Sequence, residues 1–193
     1  IYLGFGLVIW NTISSSIVNS PQLFAHNSSN IKNMNLNPIF YTLEEWSFQL
    51  QTFLQSFVLV FFVFIFFKFS LLINFLLYSW LPFINLFLFI YWFPLIICLI
   101  CVRYSDIAQL VPIVLQLVFL TSPILYRKES LGSLAWITDI NFIYKVLDPL
   151  RDSIIEGYVN YRGSLILLII NLIGIFLTIT LLNKANKKLP FLL

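Results

Sequence analysis

The stretch WSFQLQTFLQSFVLVFFVFIFF, residues 46–67, carries no charge and runs up against Lys68. A bilayer's hydrocarbon core is about 30 Å thick and an α-helix rises about 1.5 Å per residue, so about 20 mainly apolar residues suffice to cross it. This stretch meets that length. Over residues 57–67 it is apolar without interruption, which is unlike the alternating pattern of a membrane β-strand. In hydrocarbon each backbone amide needs a partner from within the segment, and an uninterrupted apolar run obtains one by becoming a helix. Trp46 suits the membrane interface. Gln49, Gln51, Thr52 and Gln55 dot the first half. Gln51 and Gln55 lie one helical turn apart, on a face expected to point into the protein rather than the lipid.

The same composition recurs on both sides. Residues 1–20 form an apolar span whose second half, with Asn11, Thr12, Ser14, Ser15 and Ser16, gives it one polar face. The chain opens on Ile1 with no basic segment before it, a poor secretory signal, and is expected to be a fragment lacking an N-terminal part. Residues 21–45 hold His26, Lys32 and the Glu44-Glu45 pair. They read as an aqueous loop with a short helix capped near Ser28 or Ser29. Residues 69–102 carry no charge, a run too long for one untilted span and too short for two spans and a turn. A short interfacial piece over 69–80 followed by a span over 81–102 is expected, the span started by Pro82 and interrupted at Pro94. Further spans cover 107–126 and 165–182. Sixty per cent of the 193 residues are hydrophobic and 10% charged, with a mean hydropathy of +0.94, whereas soluble domains are about a quarter charged. The expected fold is an all-α integral membrane bundle of about five spans over residues 1–183, followed by a short basic tail at 184–193.

Residues 127–164 are the least ordinary segment. Arg127, Lys128, Lys145, Arg151 and Arg162 are matched in number by Glu129, Asp139, Asp148, Asp152 and Glu156. Apolar residues recur at helical spacing from Ile140 through Ile143, Val146, Leu147, Leu150, Ile154, Ile155 and Tyr158. Pro149 is expected to divide this pattern into a pair of short amphipathic helices before the last span. They would rest on the membrane surface or form a re-entrant hairpin at the mouth of a pathway. The acids beside Lys145 and Arg151 look like a solvated, salt-linked helix face rather than acid/base machinery.

Several functions are excluded by what the chain lacks. It has no phosphate-binding G-x-x-x-x-G-K-[ST] loop, no G-x-S-x-G and no H-E-x-x-H. Its one His cannot build a histidine metal cluster. Cys98 and Cys101 sit in an apolar run and read as small packing residues rather than a redox or zinc half-site. The net charge of +3 is dispersed, so nucleic acid is not an expected partner. No ionisable residue lies inside the well-defined spans, as ion coupling would require. Work must be supplied from outside the chain. Lys184, Lys187 and Lys188 follow the last span directly, so the C-terminus is expected in the cytoplasm of an inner-membrane protein, although the count of basic residues on the two sides does not by itself decide the orientation. The charge-balanced 127–164 segment then lies outside and the 21–45 loop inside.

The order of short motifs resembles one family. Arg103-Tyr-Ser-Asp106, Leu110-Val-Pro112, Leu115-Gln116, Thr121-Ser-Pro123-Ile-Leu-Tyr126, then Asn141, Arg151 and Glu156-Gly157, are similar to the permease subunits of ABC transporters that export polysaccharides such as O-antigen, capsule and teichoic acid. Gly6-Leu-Val-Ile-Trp10-Asn11 and Asn30-Ile-Lys32 followed by Pro38 resemble that family's second span and first cytoplasmic loop. The resemblance implies six spans in the full-length permease, a homodimer, and a lipid-linked glycan as cargo. It also implies a separate nucleotide-binding ATPase subunit that carries ATP and Mg, with no cofactor in this chain. Asn30, Ile31, Lys32, Met34 and Pro38 would couple to that ATPase. Arg103, Asp106, Thr121, Pro123, Tyr126, Asn141, Pro149, Arg151 and Gly157 would belong to the pathway or to its extracytoplasmic gate, which the helices flanking Pro149 would form. Trp10 and Trp92 are the aromatic candidates for lining it. The chain departs from the family in having Asn141-Phe142 where Asn-Pro is frequent. A permease for a drug or other small molecule, and a membrane-embedded enzyme of glycan or lipid metabolism, are the rival readings. The lack of catalytic clusters speaks against the enzyme.

Overall fold

Helices alternate in direction, so that consecutive long elements share their ends. A computed structural model describes residues 1–33, 37–126, 128, 130, 132 and 136–185, without the side chains of Lys32, Asn33 and Asp139. In chain order the elements are α1 (Tyr2–Asn19), a 3-10 turn (Ser20–Gln22), α2 (Leu23–His26), α3 (Ser28–Asn33), α4 (Ile39–Phe67) and α5 (Ser70–Tyr78). There follow α6 (Trp80–Arg103), α7 (Ile107–Thr121), α8 (Trp136–Ile140), α9 (Phe142–Ile155) and α10 (Tyr161–Ala185). Helices α4, α6 and α10 are long and apolar enough to cross a membrane, and α7 is a shorter apolar helix of 15 residues. The chain is a multi-pass helical membrane bundle. One end gathers the start of α1, the end of α7, α5, α8 and α9. The other gathers α2, α3, the start of α4 and the ends of α6 and α10, where Phe24, Ile31, Tyr41, Leu95, Cys98 and Leu182 form a small apolar cluster.

The main core is aromatic. Phe53, Phe57 and Phe61 recur every four residues on α4 and are buried. Phe57 packs on Phe61 at 5.4 Å and edge-on against Phe83 of α6 at 5.1 Å, while Phe61 meets Phe75 of α5 at 4.9 Å. This stripe decides how α4 is rotated, and it corrects the expectation for the glutamines. Gln51 and Gln55 lie off the stripe and are exposed. The buried amide is Gln49, which donates to Glu45 Oε1 at 2.8 Å and accepts from Ser15 Oγ of α1 at 3.0 Å. The α4 helix also begins at Ile39, taking Glu44 and Glu45 out of the supposed loop, because Pro38 occupies its N-cap position and proline favours a helix start. The 107–126 span is shorter than expected, since the chain leaves α7 at Ser122, just before Pro123.

Helices α6 and α10 make the most extensive contact in the bundle. Asn171 Nδ2 donates to the carbonyl of Asn85 at 3.1 Å and to its Oδ1 at 3.2 Å. Asn85 Nδ2 donates to the Ser164 carbonyl at 2.9 Å, and Trp92 Nε1 to Asn171 Oδ1 at 2.9 Å. Gly174 lets the Trp92 ring lie flat against the α10 backbone, since a Cβ there would sit 2.5 Å from the ring.

Two short helices precede the last span, but only α9 buries an apolar face, and Pro149 does not divide them. It lies inside α9, and the break falls at Asn141. Proline forfeits its own bond to the carbonyl four residues back, and its ring crowds that carbonyl. Here α9 is braced by its buried face, on which Ile143, Val146, Leu147, Leu150 and Ile154 all pack. Asn141 has extended backbone (φ −71°, ψ 102°), and its Oδ1 accepts the Tyr144 N–H at 3.1 Å, an N-cap that starts α9. At the other end Gly157 takes φ +68°. Asn74 Nδ2 and Lys68 Nζ donate to the closing carbonyls of Ile154 and Ile155 at 3.2 and 3.4 Å. Ser79 and Ser153 hydroxyls meet at 3.0 Å, completing a polar staple between α5 and α9.

Candidate functional site

The salt link expected on α9 is present between Arg151 and Asp148, but at Arg151 it is buried rather than solvated. Arg151 is 1% exposed and is the largest fully buried side chain among the described residues. Its guanidinium donates from Nη1 to the Pro123 carbonyl at 2.9 Å and from Nη2 to the Tyr144 hydroxyl at 3.3 Å and to Asp148. Its carbon centre lies 3.8 Å from the Tyr2 ring centroid of α1. The Asp152 carboxylate stands 3.7 Å from Nε, which has no hydrogen-bond partner. Asn141 Nδ2 donates to Ser122 Oγ at 2.6 Å, so the break after α7 is held from α9 at two points. One side chain therefore ties the start of α1, the end of α7 and α9 together.

The electrostatics follow from this enclosure. Burial opposes the Arg151 charge, but Asp148 and the neighbouring groups outweigh it and the pKa ends above the usual arginine value. Burial, with the charge of Asp148 adding, pushes Tyr144 upward. Asp152 is pushed up to about 7 by burial and by Asp148, against the opposing pull of Arg151. The arrangement holds charge in place. It has no nucleophile with a base, and among the described residues no group of His, Cys, Asp and Glu is placed to hold a metal ion.

The second feature is a polar strip on the outside of α1. Asn11 is exposed and lines two adjoining grooves. One, of about 330 Å³, lies between α1 and α7 and includes Trp10, Ser14, Pro112 and Gln116. The other, of about 220 Å³, lies between α1 and α4 and includes Ser15, Thr52 and Ser56. The flanking surface is apolar, with Leu110, Ile113, Leu117 and Leu120 of α7 all more than half exposed.

Of the residues singled out by sequence, Pro123, Asn141 and Arg151 converge on the buried node. Thr121 ends α7 beside it, and the Tyr126 hydroxyl donates to the Leu120 carbonyl at 3.3 Å. Gly157 closes α9 against Asn74. Trp10 is 6% exposed and packs on Phe119 of α7 at 5.4 Å, whereas Trp92 is enclosed in the α6–α10 seam. Arg103 and Asp106 are exposed at the opposite end of α7, with Arg103 over the Tyr104 ring at 5.5 Å. In the loop, Asn30 is exposed on α3, Ile31 is buried against the small cluster and Pro38 is buried at the start of α4. Met34 and the Lys32 side chain lie outside the described residues. Tyr2, Tyr144 and Asp148 were not anticipated as members of the node. The signal for Asp148 and Tyr144 was their spacing three and seven residues before Arg151, on one helical face.

Over residues 1–155 the chain matches the family model described as ABC-2 type transporter, a membrane domain. No curated protein gives a significant match to the sequence.

Proposed function

Because this chain belongs to the ABC-2 type transporter family, and so is the membrane component of an ABC transporter that works with an ATPase partner, we propose that it exports a lipid-linked polysaccharide as one half of a homodimer. It does so across the cytoplasmic membrane, with its C-terminus in the cytoplasm. The observation that carries this reading is the polar strip of Asn11, Ser14 and Gln116 on an otherwise apolar surface. Polar side chains within a membrane span face protein or a water-filled cavity, and in one copy these face neither. A second copy set against α1 and α7 would enclose them in a shared polar passage. The order of motifs from Arg103 to Gly157 supports a glycan as cargo.

The ATPase would dock at the end that carries α2 and α3, with Asn30 presented outward and Ile31 fixing α3 to α6 and α10. ATP and Mg belong to that subunit. The test uses cysteines at Asn11 and Gln116 in a chain whose Cys98 and Cys101 are alanine, expressed with its ATPase. Inter-copy cross-links are expected, together with loss of surface glycan when Asn11 and Gln116 are both leucine. Monomeric protein under cross-linking overturns the shared passage. Unchanged surface glycan with altered drug resistance assigns the chain a small-molecule cargo instead.

A further inference from the structure

We infer that the pocket between α9 and the first turns of α10 binds a membrane lipid through its phosphate. The pocket has a volume of about 380 Å³, and its lining is part polar and cationic, part apolar. Lys145, Lys128, Asn160 and Ser164 supply the first part, and Ile166 and Ile170 belong to the second. Lys145 is exposed and forms no ion pair among the described residues. The acid that lines the pocket, Asp148, is engaged by Arg151, so it does not neutralise Lys145. Ser164 is 1% exposed, and its hydroxyl has no hydrogen-bond partner. It sits in the first turn of α10, where the positive end of the helix dipole favours an anion. Asn160 Oδ1 already accepts the Gly163 N–H at 3.1 Å, so its Nδ2, the Ser164 hydroxyl and Lys145 are the donors that can face an anion.

An inorganic anion would use only the cationic part. Ile166 and Ile170 continue the pocket onto the bilayer-facing side of α10, where they are 52% and 39% exposed. A phosphate beside Lys145 with an acyl chain along these isoleucines fits both parts. The site lies outside the α1–α7 groove and serves a resident lipid rather than the cargo.

The test uses the transporter purified with its ATPase and native mass spectrometry against phosphatidylglycerol, diacylglycerol and inorganic phosphate. Phosphatidylglycerol is expected to bind, diacylglycerol to bind much less, and inorganic phosphate at millimolar concentration not to displace the lipid. Lys145→Gln should weaken phosphatidylglycerol binding by about tenfold, the scale of one charge-assisted hydrogen bond, and Ile170→Trp should also weaken it by filling the apolar part. Lys184→Gln, at the other end of α10, should leave binding unchanged. Lys145 is exposed, so its variant keeps the fold, which unchanged elution on size exclusion verifies. Equal binding by wild type and Lys145→Gln overturns the proposal, as does an equal loss in Lys184→Gln. Displacement by inorganic phosphate makes the pocket a free-anion site and overturns the lipid assignment. Each of these results leaves the glycan reading standing or falling on its own cross-linking test.

Discussion

Replacing Arg151 with methionine keeps most of the side chain's length and removes its charge and its donors. Two neutral acceptors lose their partner: the Pro123 carbonyl at 2.9 Å and the Tyr144 hydroxyl at 3.3 Å. A buried acceptor left unsatisfied costs about 1–3 kcal/mol. Asp148 loses its counter-charge as well, yet it is 29% exposed. Water can therefore reach it, and the cost falls below the roughly 3–5 kcal/mol of breaking a fully buried pair. Contact with the Tyr2 ring at 3.8 Å adds about 1 kcal/mol at a desolvated site. These terms overlap, and a net destabilisation of about 3 kcal/mol is expected. Lysine at the same position retains the charge without the planar fork and should fall between wild type and methionine. Equilibrium unfolding of the purified chain in mixed micelles measures all three. Asp148→Asn combined with Arg151→Met should cost less than the sum of the single changes, because the stranded carboxylate is then gone. A methionine variant within about 0.5 kcal/mol of wild type, the range of an ordinary surface change, would refute the node as the tie between α1, α7 and α9.

Gly174→Ala should destabilise the chain by about 2 kcal/mol, the usual cost of overpacking, because the new methyl group meets the Trp92 ring at 2.5 Å. Trp92→Leu in the same chain should return part of that loss in the same unfolding assay. Asp152, raised to about 7 from an ordinary 3.8, binds its proton more tightly in the folded state than in the unfolded one. Its contribution to stability is thus fully present below about pH 4 and is lost as pH rises through about 7. Asp152→Asn should flatten the stability profile across that interval, and an unchanged slope would remove Asp152 as its source. Ala185→Cys, with Cys98 and Cys101 replaced, should resist an impermeant thiol reagent in intact cells and react after lysis. Labelling of intact cells would place the C-terminus outside.

Fold class was legible because chain length in hydrocarbon is a one-dimensional property: residues 46–67 and 165–182 announce spans by composition alone. Rotation about a helix axis was not legible in the same way. Gln49, Gln51 and Gln55 are equally polar, and what buries the first is a partner, Ser15, on another helix. Pro149 shows the limit of local rules. Its ring forbids one backbone bond, but the packing of Leu147, Leu150 and Ile154 on both sides of it outweighs that loss. Asn141 was visible as a polar residue near a helix start, while its role as the break depends on the Ser122 hydroxyl that it meets. Arg151 was visible as a charge and looked solvated, since nothing in a linear pattern reveals that the chain after α7 folds back over it. The polar residues of α1 were readable as a group. That Thr12 and Ser16 turn inward while Asn11 is exposed became clear only once α4, α6 and α7 had taken their places around them.

The amide ladder between α6 and α10 divides the molecule mechanically. Sliding these two helices apart would strand Asn85, Asn171 and Trp92 in hydrocarbon, where each orphaned polar group costs several kcal/mol. The pair is therefore a single strut that is costly to separate in hydrocarbon. Helix α7 is attached quite differently: it packs only lightly on α1 and α6, and it is bounded by the short Tyr104-Ser105-Asp106 link and by the bend at Ser122 and Pro123. Parting α7 from the rest of the subunit would disturb less packing than parting α6 from α10, but it would cost the Arg151 bond to the Pro123 carbonyl.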